Sequence, residues 1–257
     1  MKQQIKKIAI KLIDPIATKL GYSRLKPSIE NQYSKNNLLR TFFLNLKAIG
    51  FMPKHIIDVG ANHGSWTRET LKYFPDSYYT LVEPQSWLKE SFQDILGKNE
   101  KVDYYPIGAG AQEGTFKFTI VNRDDSCSFR YTETEAKEAG FEQVDIPVET
   151  LNTIVSKSDF PFPDMVKIDA EGLDIEVLKG ANNLFGKTEI FLVEVAVVNK
   201  NLKNTCLEVI KFMELNGYTL FDITDLNRPF GNCLWLMELV FVLKNGVVNT
   251  YDFKNKS

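Results

Sequence analysis

Three stretches of the chain carry residue types that could do chemistry together. The first is Asp58-Val59-Gly60-Ala61-Asn62-His63-Gly64, a glycine-bearing turn that follows an apolar run. Gly60 lets a backbone turn tightly, and Gly64 lets a helix start close to the strand before it. Backbone N–H groups at such a helix start can meet a carboxylate or phosphate. The second is Glu83, which closes the next apolar run. An acid there can bond ribose hydroxyls and disfavours a 2′-phosphate. The third is Lys167-Ile168-Asp169-Ala170-Glu171-Gly172, with Glu194 near the end of the run after it. Asp169, Glu171 and Glu194 could converge at the carboxyl ends of central strands. One of them could accept a hydroxyl proton as general base. Together they could instead hold Mg²⁺ that acidifies the hydroxyl. The competing structural readings are that the glycines only make turns, that Glu83 and Glu171 only cap helices, and that Lys167 and Glu194 form ion pairs.

A frame of alternating strands and helices has to position these residues. After Pro53, short apolar runs alternate with helical patterns: strands at His55 to Val59, Tyr78 to Glu83 and Val102 to Pro106, with helices at Trp66 to Tyr73 and Trp87 to Leu96. Two further strands, Thr115 to Ile120 and Val144 to Val148, flank a polar loop from Asn122 to Gln143, and a short helix starts at Leu151. Alternation resumes with strand Met165 to Asp169, helix Ile175 to Leu184, strand Ile190 to Val195 and a helix from about Leu202 to Asn216. Such a rhythm predicts a parallel sheet covered by helices on both faces. Tyr218 to Ile223 and Leu234 to Leu243 leave no room for a crossover helix, which predicts an edge hairpin and an antiparallel last strand. Residues 1–50 form a separate helical segment, 51–245 the α/β domain and 246–257 a tail.

Whole-chain properties narrow the class. With 257 residues the chain can bury a substantial core, and its net charge of −2 gives no general attraction for nucleic acid. Cys127, Cys206 and Cys233 make no C-x-x-C pair, so packed thiols are expected rather than a zinc ribbon or a disulfide framework. No apolar run is long enough to cross a bilayer. The N-terminal hydrophobic residues are broken by Lys11, Asp14 and Pro15, unlike a signal peptide. A cytoplasmic protein is expected. Ile5, Ile8, Leu12, Ile13 and Ile16 recur at helical spacing among lysines, so this helix packs on the core or lies on an anionic membrane surface.

The turn has the spacing G-x-x-x-G and lacks the middle glycine of a dinucleotide fingerprint. A pyrophosphate is thereby disfavoured, and the methionyl group of S-adenosylmethionine makes a lesser demand. The blocks Ile57 to Gly64, Val82-Glu83-Pro84, Ile107-Gly108-Ala109-Gly110 with Gly114, Ile146 to Leu151, Val166 to Gly172 and Val177-Leu178-Lys179-Gly180-Ala181 follow in order. Over about Phe51 to Leu243 the chain resembles the FkbM-type family of class I S-adenosylmethionine-dependent methyltransferases. The resemblance implies a Rossmann-like α/β fold with a mostly parallel seven-stranded sheet, an antiparallel edge hairpin and helices on both faces. It also implies methyl transfer to a hydroxyl of a sugar, a glycan or another secondary metabolite; a lipid-linked glycan would suit an N-terminal helix that lies on a membrane surface. By motif, Asp58, Gly60, Asn62 and Gly64 would line the methionyl end of the cofactor and Glu83 would hold the ribose; Asp169 and Glu171 are the candidate catalytic residues on the reading of the carboxylates given above. Two positions depart from the family: Ala111 and Asn152 stand where an aspartate is common. The other functional classes are a nicotinamide-dependent oxidoreductase and a non-catalytic protein of the same fold that binds a glycan or partner.

His63 is expected to be a spacer in the turn and His55 to be structural. Trp66 and Trp87 are expected to pack in the core. The loop at Asn122 to Tyr131 could be a lid, with Ser126 and Ser128 meeting cofactor or acceptor and Arg123 or Arg130 meeting an anionic substrate.

Overall fold

The computed structural model of the protein describes residues 38–97, 100–198, 204–229 and 232–252. The helix expected over residues 5–16 lies outside them. The first described element is helix α1 (Leu38–Ala48). Strand β1 (His55–Val59), helix α2 (Ser65–Leu71) and strand β2 (Tyr78–Val82) follow. The next helical stretch begins as a 3₁₀ turn (Ser86–Phe92) and ends as α3 (Gln93–Leu96). After it come β3 (Val102–Tyr105), β4 (Gly108–Ala109), β5 (Gly114–Ile120), a 3₁₀ turn (Asp124–Ser126), α4 (Glu133–Ala139) and β6 (Glu142–Glu149). The chain closes with α5 (Leu151–Lys157), β7 (Met165–Ile168), α6 (Asp174–Lys179), β8 (Ile190–Ala196), α7 (Cys206–Leu215), β9 (Tyr218–Asn227) and β10 (Leu236–Leu243).

Seven strands form one sheet in the order β3-β2-β1-β7-β8-β10-β9. All pairings from β3 to β8 are parallel, and β10 runs antiparallel to both β8 and β9. The expected edge hairpin is therefore present, with its last strand inserted between β8 and β9. Strands β1 and β7 are buried along their whole length, which is why they read as unbroken apolar runs in the sequence.

Alternation of side chains divides the core between the two faces of the sheet. Ile57, Val166, Phe191 and Val193 face one layer, where they meet Leu151 and Ile154 of α5, Val177 and Leu178 of α6, and Val209 and Met213 of α7. Their neighbours Ile56, Met165, Ile190 and Leu192 face the other, with Phe42, Phe43 and Leu46 of α1 and Ile95 of α3. Among the described residues no helix is long and apolar enough to cross a membrane.

A second sheet of three strands, ordered β4-β6-β5, stands beside the first. It is built from the middle section that broke the sequence rhythm. The polar loop between β5 and β6 holds a helix, α4, that the reading of this stretch as loop misses. Its signal was present: Thr132 and Glu135 form a reciprocal capping box. Trp66 packs edge-on against Phe43 at 6.0 Å, as expected. Trp87 does not pack; it is 48% exposed. It lies in the 3₁₀ turn, whose three-residue repeat turns Leu88, rather than Trp87, toward the core.

Helix α1 belongs to the same core as the α/β domain. Phe43 is fully buried, with Tyr73 and Phe74 each 5.4 Å away between ring centroids. Val248, in the tail, is also fully buried and donates its N–H to Glu189 Oε1. Phe43→Ala is expected to destabilise the protein by about 3–5 kcal/mol in urea unfolding. A loss below about 1 kcal/mol would show that α1 is a peripheral attachment.

Candidate active site at the sheet switch point

From β1 the chain moves outward to β2 and β3, then returns on the other side of β1 as β7. A crevice opens where the order reverses, at the carboxyl ends of β1 and β7, and open α/β sheets place ligands there. The turn after β1 is pinned across the crevice: the N–H groups of Gly60 and Ala61 both donate to the Val82 carbonyl. On the other side, Asp169 N–H donates to the Val59 carbonyl at 3.1 Å. Gly60 has φ of +73°, and a Cβ on it would fall 1.9 Å from the Asp169 carbonyl oxygen. Only glycine fits between these two strand ends.

The crevice opens into a cavity at these strand ends. Of the residues singled out from the sequence, Gly60, Asn62, Glu83, Asp169 and Glu171 line it. Asn62 and Glu171 are the two non-glycine residues with positive φ (45° and 50°) among the described residues. Side chains held in this sparsely populated region concentrate at functional sites. Asp58 and Gly64 do not line the cavity. Asp58 is fully buried beneath the turn, where it accepts the Thr67 hydroxyl at 2.6 Å and faces Lys167 Nζ at 3.3 Å. Gly64 caps the start of α2 with φ of +74°, and a Cβ there would press on the side chains of Phe92 and Ile95 at 3.0–3.1 Å.

Glu83 is held in place by backbone donors. Its Oε2 accepts Asn62 N–H at 2.7 Å, and its Oε1 accepts Gln85 N–H at 2.9 Å. Burial pushes its carboxyl above the ordinary range, and these hydrogen bonds oppose the shift. Oε1 also accepts the Gln85 side-chain amide at 3.2 Å, so Oε2 is the oxygen that keeps a lone pair for a further donor, such as a hydroxyl.

The opposite wall is acidic around one ammonium. Lys167 Nζ lies 3.2 Å from Asp169 Oδ2 and 3.3 Å from the Gly60 carbonyl. Burial alone would lower its pKa, but Asp169, Asp58 and Glu238 together hold it above the ordinary lysine value. Lys167 is therefore charged. Asp169, Glu171 and Glu194 each place a carboxylate oxygen within 4.8 Å of the others. The convergence read from the sequence is thus present, with Lys167 already supplying positive charge beside Asp169. Burial raises Glu194 well above its usual range, reinforced by Asp169, Asp174 and Glu171.

Two residues that hold this wall escaped the sequence reading. Asp174, fully buried, accepts the N–H groups of Ala170 and Gly172 and the side-chain amide of Asn204. It fixes the turn that carries Glu171. Asn204 also donates to the Glu194 carbonyl at 3.2 Å. Nothing in the local pattern marks Asn204, which is 30 residues from its acidic partner. Asp174 could have been found as an acid in the first turn of a helix.

The loop expected as a lid is fastened over the cavity. His63 Nε2 meets Asp124 Oδ2 at 2.7 Å, and Gln85 Nε2 donates to the Asp124 carbonyl at 2.9 Å. His63 is thus a tether rather than a spacer. Ser128 and Phe129 line the cavity, whereas Arg123 pairs with Asp125 at its outer edge. His55 is structural, as expected: its ring nitrogens meet the Pro161 carbonyl and the Thr80 hydroxyl, and burial lowers its pKa to about 4.

Burial, with the charge of Asp169, pushes the Glu171 carboxyl from 4.5 up to about 8. The folded chain therefore holds this proton more tightly than the unfolded chain. Its stabilising effect is complete below pH 4.5 and is lost as pH rises through about 8. Glu171→Gln, which cannot ionise, should melt like the parent at pH 5 by calorimetry. At pH 9 it should melt higher, by about 2–4 °C for each kcal/mol released. Parallel pH profiles would show that the Glu171 carboxyl is not desolvated in the folded protein.

Solved structures similar to the chain include a precorrin-6y C5,15-methyltransferase from Geobacter metallireducens, with a TM-score of 0.42, 12% identity and coverage of 79% of this chain and 86% of that one. A 1,6-didemethyltoxoflavin-N1-methyltransferase from Burkholderia thailandensis, with bound S-adenosylhomocysteine, has a TM-score of 0.43, 12% identity and coverage of 93% and 90%. The StiE O-MT has a TM-score of 0.46, 13% identity and coverage of 90% and 82%. No curated protein matches the chain in sequence. The family model described as the methyltransferase FkbM domain matches residues 58–220, more than half of the chain and every element around the crevice from the end of β1 to the start of β9. The chain belongs to the FkbM family of methyltransferase domains.

Proposed function

We propose that the protein moves the methyl group of S-adenosylmethionine to a hydroxyl oxygen of a sugar, a glycan or another secondary-metabolite acceptor. One observation carries the reading: a single cavity at the switch point joins the Gly60 turn and Glu83 on one side to Asp169 and Glu171 on the other. The residues fit this cofactor. Gly60 lets the turn after β1 close against the Asp169 backbone at the cavity floor, and Glu83 Oε2 keeps a lone pair for a ribose hydroxyl. When bound, S-adenosylmethionine supplies an electrophilic methyl group on a sulfonium.

The chain's own residues then have three tasks. Glu83 and the turn hold the donor, so that an acceptor oxygen can be brought in line with it. Asp169, bonded to Lys167, supplies a fixed negative charge toward the cavity. Glu171, which forms no salt bridge among the described residues, is suited to take the acceptor's hydroxyl proton once ionised, so transfer should rise as pH passes through about 8. The acceptor, including a lipid-linked glycan at a membrane surface, would enter beside the second sheet. There, a larger cleft of about 550 Å³ shares Ala109, Phe129 and Leu173 with the first cavity.

Calorimetry of the full chain should give binding with S-adenosylmethionine and none with NAD. Glu83→Ala should weaken that binding by about tenfold or more, the loss of a charged hydrogen-bond acceptor. Glu171→Gln should leave the affinity within about threefold while methyl transfer to candidate glycans, followed with a labelled methyl group, falls by about 10²-fold or more. Heat with NAD and none with S-adenosylmethionine would reverse the assignment to an oxidoreductase. No heat with either would leave a binding protein.

A further inference from the structure

The cavity at the switch point measures about 90 Å³. Sites that bury a drug-sized ligand run from about 300 to 1,000 Å³, so a wall has to move before S-adenosylmethionine fits. The strand ends are fixed, because β1, β2, β7 and β8 are joined by their ladders and the turn at Gly60 is bonded to the Val82 carbonyl. Residues 122–126, the tip of the segment after β5, are held differently. Within the tip, Arg123 pairs with Asp125 at 2.7 Å, and Ser126 N–H donates to the Arg123 carbonyl at 3.1 Å. It can therefore move as a unit. Its base is anchored: Ser128 and Thr119 exchange both backbone hydrogen bonds, and Val121 N–H donates to the buried Cys127 sulfur at 3.3 Å.

Among the described residues, two hydrogen bonds tie the tip to the facing side of the crevice, and both end on Asp124. His63 Nε2 meets its Oδ2 at 2.7 Å, and Gln85 Nε2 donates to its carbonyl at 2.9 Å. The His63 and Asp124 side chains are 46% and 48% exposed, where such a pair contributes little. Space for movement lies on the tip's other side. Another cleft, of about 370 Å³, is lined by Trp87 together with the tip. Asp124, Asp125 and Cys127 wall both this cleft and the cavity, so the tip is a thin partition between the two.

We propose that residues 122–126 form a gate latched shut through Asp124, an autoinhibitory contact that the cofactor must break in order to bind. The inference rests on the cofactor reading given above. Swinging the tip toward Trp87 enlarges the cavity at the expense of the outer cleft. The ligand binds the fraction of molecules in which the tip has swung, and the apparent affinity is reduced by that fraction. His63 does not line the cavity, so its bond to Asp124 stabilises the closed form and gives nothing to the ligand. The latch therefore acts against binding.

The test uses the full chain and S-adenosylhomocysteine. In calorimetry, His63→Ala should bind this ligand about twofold to fivefold more tightly than the parent. Stopped-flow mixing should place the gain in the association rate and leave dissociation unchanged, because the latch is already broken in the bound form. A side chain that merely supported the site would weaken binding when removed. In the unsubstituted chain, the ligand should reduce acrylamide quenching of Trp87 fluorescence as the tip closes on that ring, with Trp87→Phe identifying its share of the signal. Thermal melting checks that each variant is folded, and the quenching measurement decides the question without His63→Ala. Equal or weaker binding by folded His63→Ala, or Trp87 quenching that the bound ligand leaves unchanged, would overturn the proposal. An unsubstituted chain that does not bind the ligand would reject the cofactor reading itself, a different outcome from binding that ignores the latch.

Discussion

The ammonium of Lys167 stands where β1 and β7 end side by side, among carboxylates contributed by four strands or the turns that follow them. Asp58 is its register partner on the neighbouring strand, and Glu194 and Glu238 are partners of each other on β8 and β10. Removing so many acids from water is unfavourable unless charge is neutralised or protons are retained. Both happen here. Lys167 stays charged between Asp58 and Asp169, whereas Glu238, buried and bonded to the Thr224 hydroxyl, is pushed up to about 7. Burial likewise lifts Asp174 to about 7 despite its three donors. The position of the Gly60 carbonyl, the aim of Asp169 and the charge facing the cavity all depend on this single cation.

The second sheet answers a different need. A parallel sheet with an open crevice gives a ligand a floor but no roof. Gly108 and Ala109 of β4 and Phe118 of β5 line the cavity, and the segment after β5 adds Asp124, Ser128 and Phe129 to its wall. Because Asp124 bonds His63 with its side chain and Gln85 with its backbone, the roof is fastened to both the turn and the end of β2. Cys127, buried against Phe118 and Ile146, anchors it from beneath.

The fold was legible in the sequence because buried parallel strands are continuous apolar runs and their helices keep a second period. The strand ends bearing Gly60, Glu83 and Asp169 followed from that frame. The rest was hidden for specific reasons. Asp58 carries the motif yet lies beneath the turn, because a residue in a strand buried on both faces points into the protein rather than toward the ligand. Asn204 acts across 30 residues, a distance no local pattern encodes. Helix α4 lies among polar residues, its capping box the local signal that marks it, and Trp87 faces solvent because its turn is 3₁₀ rather than α.

The cavity wall is drawn from segments far apart in the chain: the turn at Gly60, the strand end at Glu83, the block at Gly108, the roof at Ser128 and the turn at Glu171. A molecule touching all of these segments would act as a non-covalent cross-link between parts that only the native topology brings together. It would have almost no affinity for the unfolded chain, so occupancy and folding become one linked equilibrium. At a hundred times its dissociation constant such a ligand contributes about 2.7 kcal/mol. That is a large share of the stability of a typical domain. The loaded protein is then the mechanically robust form, and the empty one is the form exposed to proteolysis and local opening.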